Sequence, residues 1–414
     1  MIKKMKILHS LLLFVACWSQ SFAQQALTQQ QAIDEALKNN LMVKSGEYQL
    51  AAQKQLKNTA FDLGKTNLMW MHGQFNSILK DNNYTLSQTI PFPTAMASEA
   101  KLAQANIVGS EIQLTITQND LIRHVRSVYN QLTYLIALNK ELTLQDSVFS
   151  RFAIATQVRY RVGEGTLLEK TTAETQAMEI KNQLSQNESD IAIFQRQLQT
   201  LLNSQSEIVP ADSLMRIDPA VVTPSVDFNP QLRLIQQEVT IADRTKRVAR
   251  NKFLPDITVG YFTQSLIGFQ EIDNQNIFFD KNKRFTGFEL GLAFPLWFLP
   301  QQSRTKAAAM NQEAAENKYR FYQNQIEGEL QRAQLELAKN RNSLSFYQTN
   351  ANQNASLILR QAQRAFTEGE IGYLEFLQAV NQARNIKFRY LEILNQYNQS
   401  SIQLDYLTGK SVNR

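Results

Sequence analysis

Two long stretches of the chain share one pattern, in which apolar positions recur at alternating steps of four and three residues. The first covers residues 93–163 and the second residues 300–369. Such a 3.5-residue repeat predicts a coiled coil, because it keeps one stripe of a helix against a partner helix. At 1.5 Å per residue each predicted helix is roughly 100 Å long. The apolar positions are Leu121, Val125, Val128, Leu132, Leu135, Leu142, Phe149 and Ala153 in the first stretch, and Ile326, Leu330, Ala333, Leu337, Leu344, Tyr347, Ala351, Ile358 and Ala365 in the second.

Shorter segments before each predicted helix follow a different period, in which apolar and polar residues alternate. Residues 84–90, 256–266 and 285–296 alternate in this way, and residues 68–78 also leave the helical period. A period of two predicts strands with one apolar and one polar face. We therefore expect four strands, each of about 10 residues, which is the length that a tilted membrane strand needs. A short turn is predicted at residues 80–83 and a longer polar loop at residues 267–284.

The two halves of the chain repeat each other. At an offset of 206 residues, Gly163 aligns with Gly369 and Glu169 with Glu375, and at an offset of 202 Pro93 aligns with Pro295. Matches at nearly fixed offsets indicate an internal duplication. The predicted organisation is a signal peptide (residues 1–23), a first repeat of helix, strand, strand, long helix and helix (24–203), a proline-containing linker in the equatorial region (204–228), a second such repeat (229–409) and a C-terminal tail (410–414).

The first 23 residues have the layout of a secretory signal. Lys3, Lys4 and Lys6 precede an apolar run at residues 7–18, and a small-residue cleavage site ends at Ala23. An alternative interpretation is that residues 14–17 form a lipoprotein box, in which the single cysteine, Cys17, becomes acylated. Cleavage after Ala23 instead removes that thiol from the mature chain and with it any disulfide or thiol catalysis.

The charge and the reactive side chains exclude several functions. The formal net charge is +6, and removal of the three signal lysines lowers it to +3. This dispersed charge argues against nucleic-acid binding, which requires clustered lysine and arginine. The histidines outside the signal, His72 and His124, have no cysteine or paired carboxylate at ligand spacing, so we predict no metal site. We also predict no cofactor and no enzymatic activity.

Two groups of side chains near the predicted strand ends suggest contact with lipid. Trp70 and Trp297 would join an interfacial aromatic belt. A run of basic residues before Pro255 suits a helix C-terminus and is either a collar facing lipid headgroups or an ordinary solvated face. The basic residues are Arg244, Lys246, Arg247, Arg250 and Lys252.

Four strands with one apolar face are too few to close a membrane barrel, because the smallest barrels have about eight. With its duplicated topology, the boundary motif at residues 90–93 and its counterpart at 293–296, and the reversal motifs at 161–166 and 366–370, the chain resembles the TolC family of outer-membrane efflux proteins. The resemblance implies an α+β membrane protein that forms a homotrimer. In it, four strands per chain contribute to a twelve-strand transmembrane β-barrel in outer-membrane lipid. Long antiparallel coiled-coil helices form an α-helical barrel in the periplasm.

The same resemblance implies a passive exit duct of a tripartite efflux or type I secretion system. Its partners would be a periplasmic adaptor protein and an inner-membrane pump of RND or ABC type. The residues carried over as adaptor-docking tips are Val162, Gly163, Glu164, Gly165 and Thr166, and Glu368, Gly369, Glu370, Ile371 and Gly372. The predicted turn at residues 80–83 and the loop at 267–284 would face the exterior.

One stretch departs from the family pattern. Family members often narrow the tunnel entrance with acidic residues on the last turns of the second long helix, where this chain has Arg360 and Arg364 and no carboxylate. The two arginines either lock the tip through ion pairs to Glu368 or Glu370 or form a plain solvated face. A different class of function also stays open, that of an exported coiled-coil spacer or fibre protein without channel activity. The four alternating strands and the double tip discriminate against it, since a spacer needs neither.

Overall fold

The computed structural model describes residues 25–220 and 225–410. The predicted signal peptide, with Cys17, lies outside the described residues, as do the last four residues of the tail. The elements in chain order are β1 (Gln25–Leu27), α1 (Gln29–Asn39), α2 (Leu41–Leu56), β2 (Asn67–Gly73), β3 (Asp81–Ile90), α3 (Pro93–Arg161), α4 (Leu167–Leu202), β4 (Ile208–Pro210), α5 (Pro230–Asn251), β5 (Asp256–Gln264), β6 (Gly268–Ile272), β7 (Gln275–Phe279), β8 (Phe285–Ala293), α6 (Phe298–Phe346), α7 (Asn352–Thr367) and α8 (Tyr373–Leu407).

The chain separates into two compact units, and each unit contains segments of both sequence repeats. The unit that we call the sheet unit comprises residues 46–114 and 230–324. The helical unit comprises the other described residues, 25–45, 115–220, 225–229 and 325–410. The helices α2, α3 and α6 each contribute residues to both units. None of the helices in the described ranges has the length and hydropathy of a membrane-spanning helix.

The sheet unit is built on one antiparallel sheet with the strand order β2-β3-β5-β8. The first two strands come from the first repeat and the last two from the second, so the repeats meet at the β3–β5 pair. These four strands confirm the four that the sequence predicted, although β2 ends at Gly73, before the predicted end at residue 78. They are 7, 10, 9 and 9 residues long.

The connections between the strands differ from the predicted ones. Asp81 and the two asparagines after it belong to β3 and pair with residues 71–73 of β2, so the turn precedes them and the predicted turn at residues 80–83 is wrong. The buried carboxylate of Asp81 accepts hydrogen bonds from the Ser77 hydroxyl at 2.7 Å, and from the Ser265 hydroxyl and the Ile267 amide at 2.9 Å each. A polar residue that suggested a turn therefore anchors two loops to a strand.

The predicted polar loop at residues 267–284 contains a β-hairpin, β6–β7. Its two turn residues, Asp273 and Asn274, have φ angles of 51° and 63°. Positive φ at both central positions is the requirement of a type I′ turn, which asparagine and aspartate tolerate better than most residues. The dipeptide was therefore a local hairpin signal that the overall polarity of the segment obscured.

The first predicted coiled-coil stretch is one helix, α3, of 69 residues. Its predicted apolar seam is buried from Leu121 to Phe149, including Val125 and Leu132 at 0 % exposure, while Ala153 is half-buried. The period of 3.5 residues therefore identified the packed face of this helix correctly over four heptads.

The second stretch is not one α-helix, because a π-helical turn at Tyr347–Ala351 separates α6 from α7. Before this turn the predicted seam is buried from Ile326 to Leu344. After it, Ala355 and Ala362 are buried, whereas the predicted positions Ile358 and Ala365 are half-buried. A π turn contains more residues per turn than an α turn, and the buried stripe consequently moves to other positions.

The described part of the linker between the repeats is more ordered than its proline content suggested. Its strand β4 pairs in parallel with β1, with Gln25 opposite Ile208 and Leu27 opposite Pro210. Strands of three residues are too short to leave a periodic signal in the sequence. The linker amide of Ala220 also donates to the Asp405 carboxylate of α8 at 2.8 Å.

That carboxylate belongs to a buried ion pair in the helical unit. The Arg126 guanidinium of α3 lies 2.9 Å from the Asp405 carboxylate, and the two side chains are only 7 % and 2 % exposed. Two ionised groups removed from water remain stable only while each compensates the other. One pair therefore fixes α3, α8 and the end of the linker together.

We predict that Asp405→Ala lowers the free energy of unfolding by about 3–5 kcal/mol, because it leaves the Arg126 charge buried without its partner. Denaturant unfolding of the purified protein measures this loss. The matched control is Glu392→Ala, which removes the carboxylate of an exposed pair with Arg389 at 2.7 Å. Equal losses in the two variants would contradict the role of the buried pair.

Candidate functional site

The first helical tip, residues 158–169, reverses the chain through a left-handed glycine. Gly163 has φ 79°, which side chains with a Cβ rarely adopt. The amide of Glu164 donates to the Arg159 carbonyl at 2.9 Å, and the amide of Gly163 donates to the Tyr160 carbonyl at 3.2 Å. These two bonds form a Schellman motif, which satisfies the last carbonyls of α3 and ends the helix.

The second tip, residues 364–375, repeats this geometry bond for bond. Gly369 has φ 78°. The amide of Glu370 donates to the Ala365 carbonyl at 2.8 Å, and that of Gly369 to the Phe366 carbonyl at 3.3 Å. Each donor and each acceptor lies 206 positions after its counterpart in the first tip, so the duplication seen in the sequence extends to individual backbone hydrogen bonds.

A glutamate caps the helix that leaves each tip, but the two caps differ. At the first tip Thr166 and Glu169 bond reciprocally: the Glu169 amide donates to the threonine hydroxyl at 3.1 Å, and the Thr166 amide donates to the Glu169 carboxylate at 3.2 Å. At the second tip the Gly372 amide donates to Glu375 at 2.8 Å, with no side chain to return the bond. The first tip therefore has a complete capping box and the second has half of one.

Apolar side chains lie exposed around both reversals. Val162 is 64 % exposed, and Leu168 and its repeat counterpart Leu374 are 75 % and 63 % exposed. Glu164 and Glu370 are exposed beside them. Both tips thus present large aliphatic groups next to a carboxylate, which is the composition of a surface that a protein partner can cover.

An aromatic cluster joins the two tips within the helical unit. Phe152 of α3 stacks on Tyr373 of α8 with ring centroids 5.0 Å apart, and it also packs against Phe366 and Phe376. Burial raises the pKa of the Tyr373 phenol, and the nearby charge of Glu169 from the other tip adds to this effect. The 3.5-residue period predicts the neighbouring Phe149 as a packed position, whereas the placement of aromatic residues from both repeats around one point is a tertiary property.

The two predicted gate arginines have different surroundings. The Arg364 guanidinium lies 2.9 Å from the Glu368 carboxylate one turn later, and both side chains are substantially exposed, at 74 % and 46 %. Arg360 is exposed as well. A third arginine was missed by the sequence analysis: Arg384 lies partly buried on α8 with its guanidinium over the Phe149 ring, and burial lowers its pKa while the charge of Glu179 opposes this shift.

A second candidate surface is the apolar face of the four-stranded sheet. Leu68, Leu86, Tyr261 and Phe288 lie opposite one another on consecutive strands and form a row across the whole sheet. All four are exposed, at 71 %, 50 %, 43 % and 86 % respectively. A row of large apolar side chains that crosses every strand and is covered by nothing in the chain is not a feature of water-soluble sheets.

The opposite face of the sheet is mixed: one row on it is Met69, Thr85, Phe262 and Gly287, and the rows beside that one are more polar. Ser87, Gly260 and Glu289 form one row on it, and Thr89, Thr258 and Gly291 form the next.

The predicted position of Trp70 at a strand end is wrong. Because β2 begins at Asn67, Trp70 lies within the strand, where it is 62 % exposed and stacked on Tyr84. Trp297 follows β8 and is also exposed.

The predicted histidine positions hold ordinary structural contacts. The His72 Nδ1 atom lies 2.8 Å from the Asn82 side-chain oxygen on the neighbouring strand. His124 lies beside Arg123 on α3, and burial and the arginine charge lower its pKa. In the described ranges no three histidine, cysteine, aspartate or glutamate residues are grouped as metal ligands.

Comparison with known proteins shows what this chain is similar to. Residues 226–410, which include the whole of the second repeat up to its tail, match the family of the outer membrane efflux protein. The resemblance that the duplicated topology and the reversal motifs indicated is thereby confirmed. No curated protein sequence matches the chain.

Solved structures extend the likeness to the first repeat. The chain is similar to the outer-membrane channel OprN at 15 % identity, with a TM-score of 0.76 over 92 % of this chain and 89 % of that one. It is similar to the outer membrane protein VceC of Vibrio cholerae at 15 % identity, with a TM-score of 0.73 over 92 % and 96 % of the two chains. The Campylobacter jejuni CmeC outer membrane channel gives 15 % identity and a TM-score of 0.73 over 95 % and 90 %. The fold of the whole chain is therefore that of these proteins.

We predict that Gly369→Ala destabilises the second tip by about 1–2 kcal/mol, because alanine is strained at a left-handed φ. Faster hydrogen exchange of the Glu370 and Ile371 amides would report the loosened reversal. Gly328→Ala is the matched control, since Gly328 lies in the interior of α6 with no atom near its missing Cβ, and alanine favours a helix. Slower or unchanged exchange in Gly369→Ala would contradict the prediction.

Proposed function

We propose that this chain is the outer-membrane channel of a tripartite efflux or type I secretion system, located in the outer membrane and extending into the periplasm. It acts as an exit duct that conducts substrate passively to the exterior. The energy comes from an inner-membrane pump of RND or ABC type, and a periplasmic adaptor connects the pump to the duct. The chain catalyses no reaction in this scheme.

The observation that carries the proposal is the exposed apolar row across the sheet. In water, side chains such as Phe288 and Leu290, at 86 % and 79 % exposure, would promote aggregation. In a bilayer the apolar face that carries this row and Leu290 is the lipid-facing surface that a transmembrane strand requires. The opposite face with its glycines then lines a water-filled interior.

The open edges of the sheet support a homotrimer. Within the described sheet, β2 pairs only with β3 and β8 pairs only with β5. Unpaired backbone groups cannot remain in hydrocarbon, so both edges must bond to further copies of the chain. Three copies give a barrel of twelve strands, in which β8 of one protomer pairs with β2 of the next.

The names of the similar proteins agree with this assignment. The matched family is described as outer membrane efflux protein, and both OprN and CmeC are described as outer membrane channels. The alternative of an exported coiled-coil spacer would leave the apolar row of the sheet in water, and it gives no role to a pair of matching tips.

The two tips are the proposed adaptor-docking surface. Their exposed aliphatic side chains, Val162, Leu168 and Leu374, supply apolar area for a partner. The reversals are held by the two glycines and the capping glutamates, which preorganises the surface. At the entrance of the proposed helical tunnel, Arg364 stabilises the last turn of α7 through its ion pair with Glu368. Arg360 adds a second positive charge to this proposed gate.

The membrane assignment predicts different responses on the two faces of β8. Leu290→Lys places a charge on the proposed lipid face and should cost about 2–4 kcal/mol near the bilayer centre, which lowers the yield of trimer in the outer-membrane fraction. Glu289→Lys places the same residue one position earlier, on the opposite face, and should insert normally. Equal insertion of the two variants would sink the assignment of the faces.

The docking assignment predicts that Gly163→Pro combined with Gly369→Pro abolishes export, because proline cannot adopt the left-handed φ and removes the amide of each Schellman motif. Export of a substrate by cells is measured beside trimer content of the outer membrane, which should stay unchanged. Gly64→Pro replaces a glycine of similar φ, 73°, in the sheet unit and serves as the control. Normal export by the double variant would refute the role of the tips.

A further inference from the structure

The sheet unit contains a basic cleft between α3 and α5 that none of the functions above uses. The cleft has a volume of about 360 Å³. The residues that line it are Ser98, Lys101, Arg244, Arg247, Arg250 and Asn251. Four of the six are cations, the other two carry hydrogen-bonding side chains, and no carboxylate is among them.

The cleft exists because α3 and α5 pack side by side. The side-chain amide of Asn251 donates to the Thr94 carbonyl at 3.2 Å and to the Ser98 hydroxyl. The side-chain amide of Gln237 donates to the Ala105 carbonyl at 2.8 Å. These bonds fix the register of the two helices at both ends of the cleft. Lys101 thereby joins the arginines of α5, although it lies more than 140 positions away in the sequence.

The charges in the cleft are only partly compensated by the chain itself. Arg247 pairs with Asp243 at 3.0 Å. Within the described ranges, Lys101, Arg244 and Arg250 form no ion pair with a carboxylate, and Arg244 is half-buried. Like charges held this close repel one another, and the repulsion is relieved when an anion binds between them.

The chemistry of the lining residues selects a phosphate. A guanidinium offers two parallel N–H donors that match the oxygens of a phosphate, and the lysine ammonium adds a point charge. The Ser98 hydroxyl donates to the Thr94 carbonyl at 2.9 Å, and the Asn251 side-chain amide donates to Thr94 and to Ser98, so the donors left for a ligand are those of the four cations. A carboxylate ligand would use fewer of these donors.

We propose that this cleft binds the phosphate of an anionic phospholipid headgroup. The proposal rests on the assignment of the sheet to the membrane. Both helices join the sheet next to the cleft: α3 starts three residues after β3 ends, and β5 starts five residues after α5 ends. Lys101 lies eight residues into α3, about 12 Å along the helix axis. A lipid whose chains lie on the apolar face of the sheet can therefore extend its headgroup toward these cations.

The test compares two double variants of the mature protein purified in detergent. Arg244→Gln with Arg250→Gln removes two charges from the cleft. Lys246→Gln with Lys252→Gln removes one charge from the same helix and one from the residue that directly follows it, both outside the cleft. Native mass spectrometry measures the binding of three probes, each added alone: phosphatidylglycerol, phosphatidylcholine and inorganic phosphate. Trimer content and outer-membrane location are measured first on the unmodified protein, so that a failure of the proposed function is recognised separately.

We expect the cleft variant to bind phosphatidylglycerol roughly 30-fold more weakly, from the loss of two cations near an anionic headgroup, and the control variant to bind it as before. Phosphatidylcholine and inorganic phosphate should bind weakly to all three proteins. Equal losses in the two variants would show a general charge effect and overturn the site. Binding of inorganic phosphate as tight as that of the lipid would overturn the lipid as its source. Loss of the trimer in the cleft variant, with lipid binding unchanged, would assign the cations to a neighbouring copy of the chain.

Discussion

The apolar face of the four-stranded sheet is the constraint on which the rest of the molecule depends. A row of large side chains crosses all four strands and remains exposed, while both outer strands keep an unpaired edge. In the membrane that we propose, hydrocarbon accepts the side chains but not the free backbone groups. In that setting a single chain would leave the backbone groups of both sheet edges unpaired, so it would have to assemble with further copies before it could insert into the membrane. In the proposed membrane location, the small number of strands in the sheet, rather than any feature of the helices, is what would require oligomerisation.

Duplication supplied both halves of the sheet and both tips, but the copies have since diverged where packing allowed it. The backbone bonds around Gly163 and Gly369 are the same because only one arrangement of donors closes a Schellman motif. Thr166 and its counterpart Gly372 differ, since a helix start tolerates the loss of one cap at a cost of about 1 kcal/mol. The π turn at Tyr347–Ala351 belongs to the second repeat alone. It moves the buried stripe of the second long helix, so that α7 packs through Ala355 and Ala362.

The elements that could be predicted from the sequence are those whose signal is periodic or repeated. The buried face of α3, the four strands and both glycine reversals follow from the periods of 3.5 and 2 and from the fixed offset between the repeats. The features that could not be predicted depend on single contacts between distant residues. Asp81 suggested a turn, and only its bonds to the loop at Ser265 and Ile267 show that it holds a strand end. The π turn has no composition that separates it from the helix around it.

The same distinction applies to the charged groups. A run of basic residues on α5 was visible in the sequence, with a lipid-facing collar and a solvated face as equal interpretations. Packing adds Lys101 from another helix and leaves Arg244 half-buried. A solvated face requires neither feature, because charged side chains that are screened by water and salt gain nothing from lying close together. In contrast, Asp405 was inconspicuous in the sequence, yet it compensates Arg126 and also accepts the linker amide of Ala220. The buried Arg126 charge is neutralised within the chain, whereas Lys101, Arg244 and Arg250 in the cleft form no ion pair within the described residues, which is why the former stabilises the fold and the latter point to a ligand.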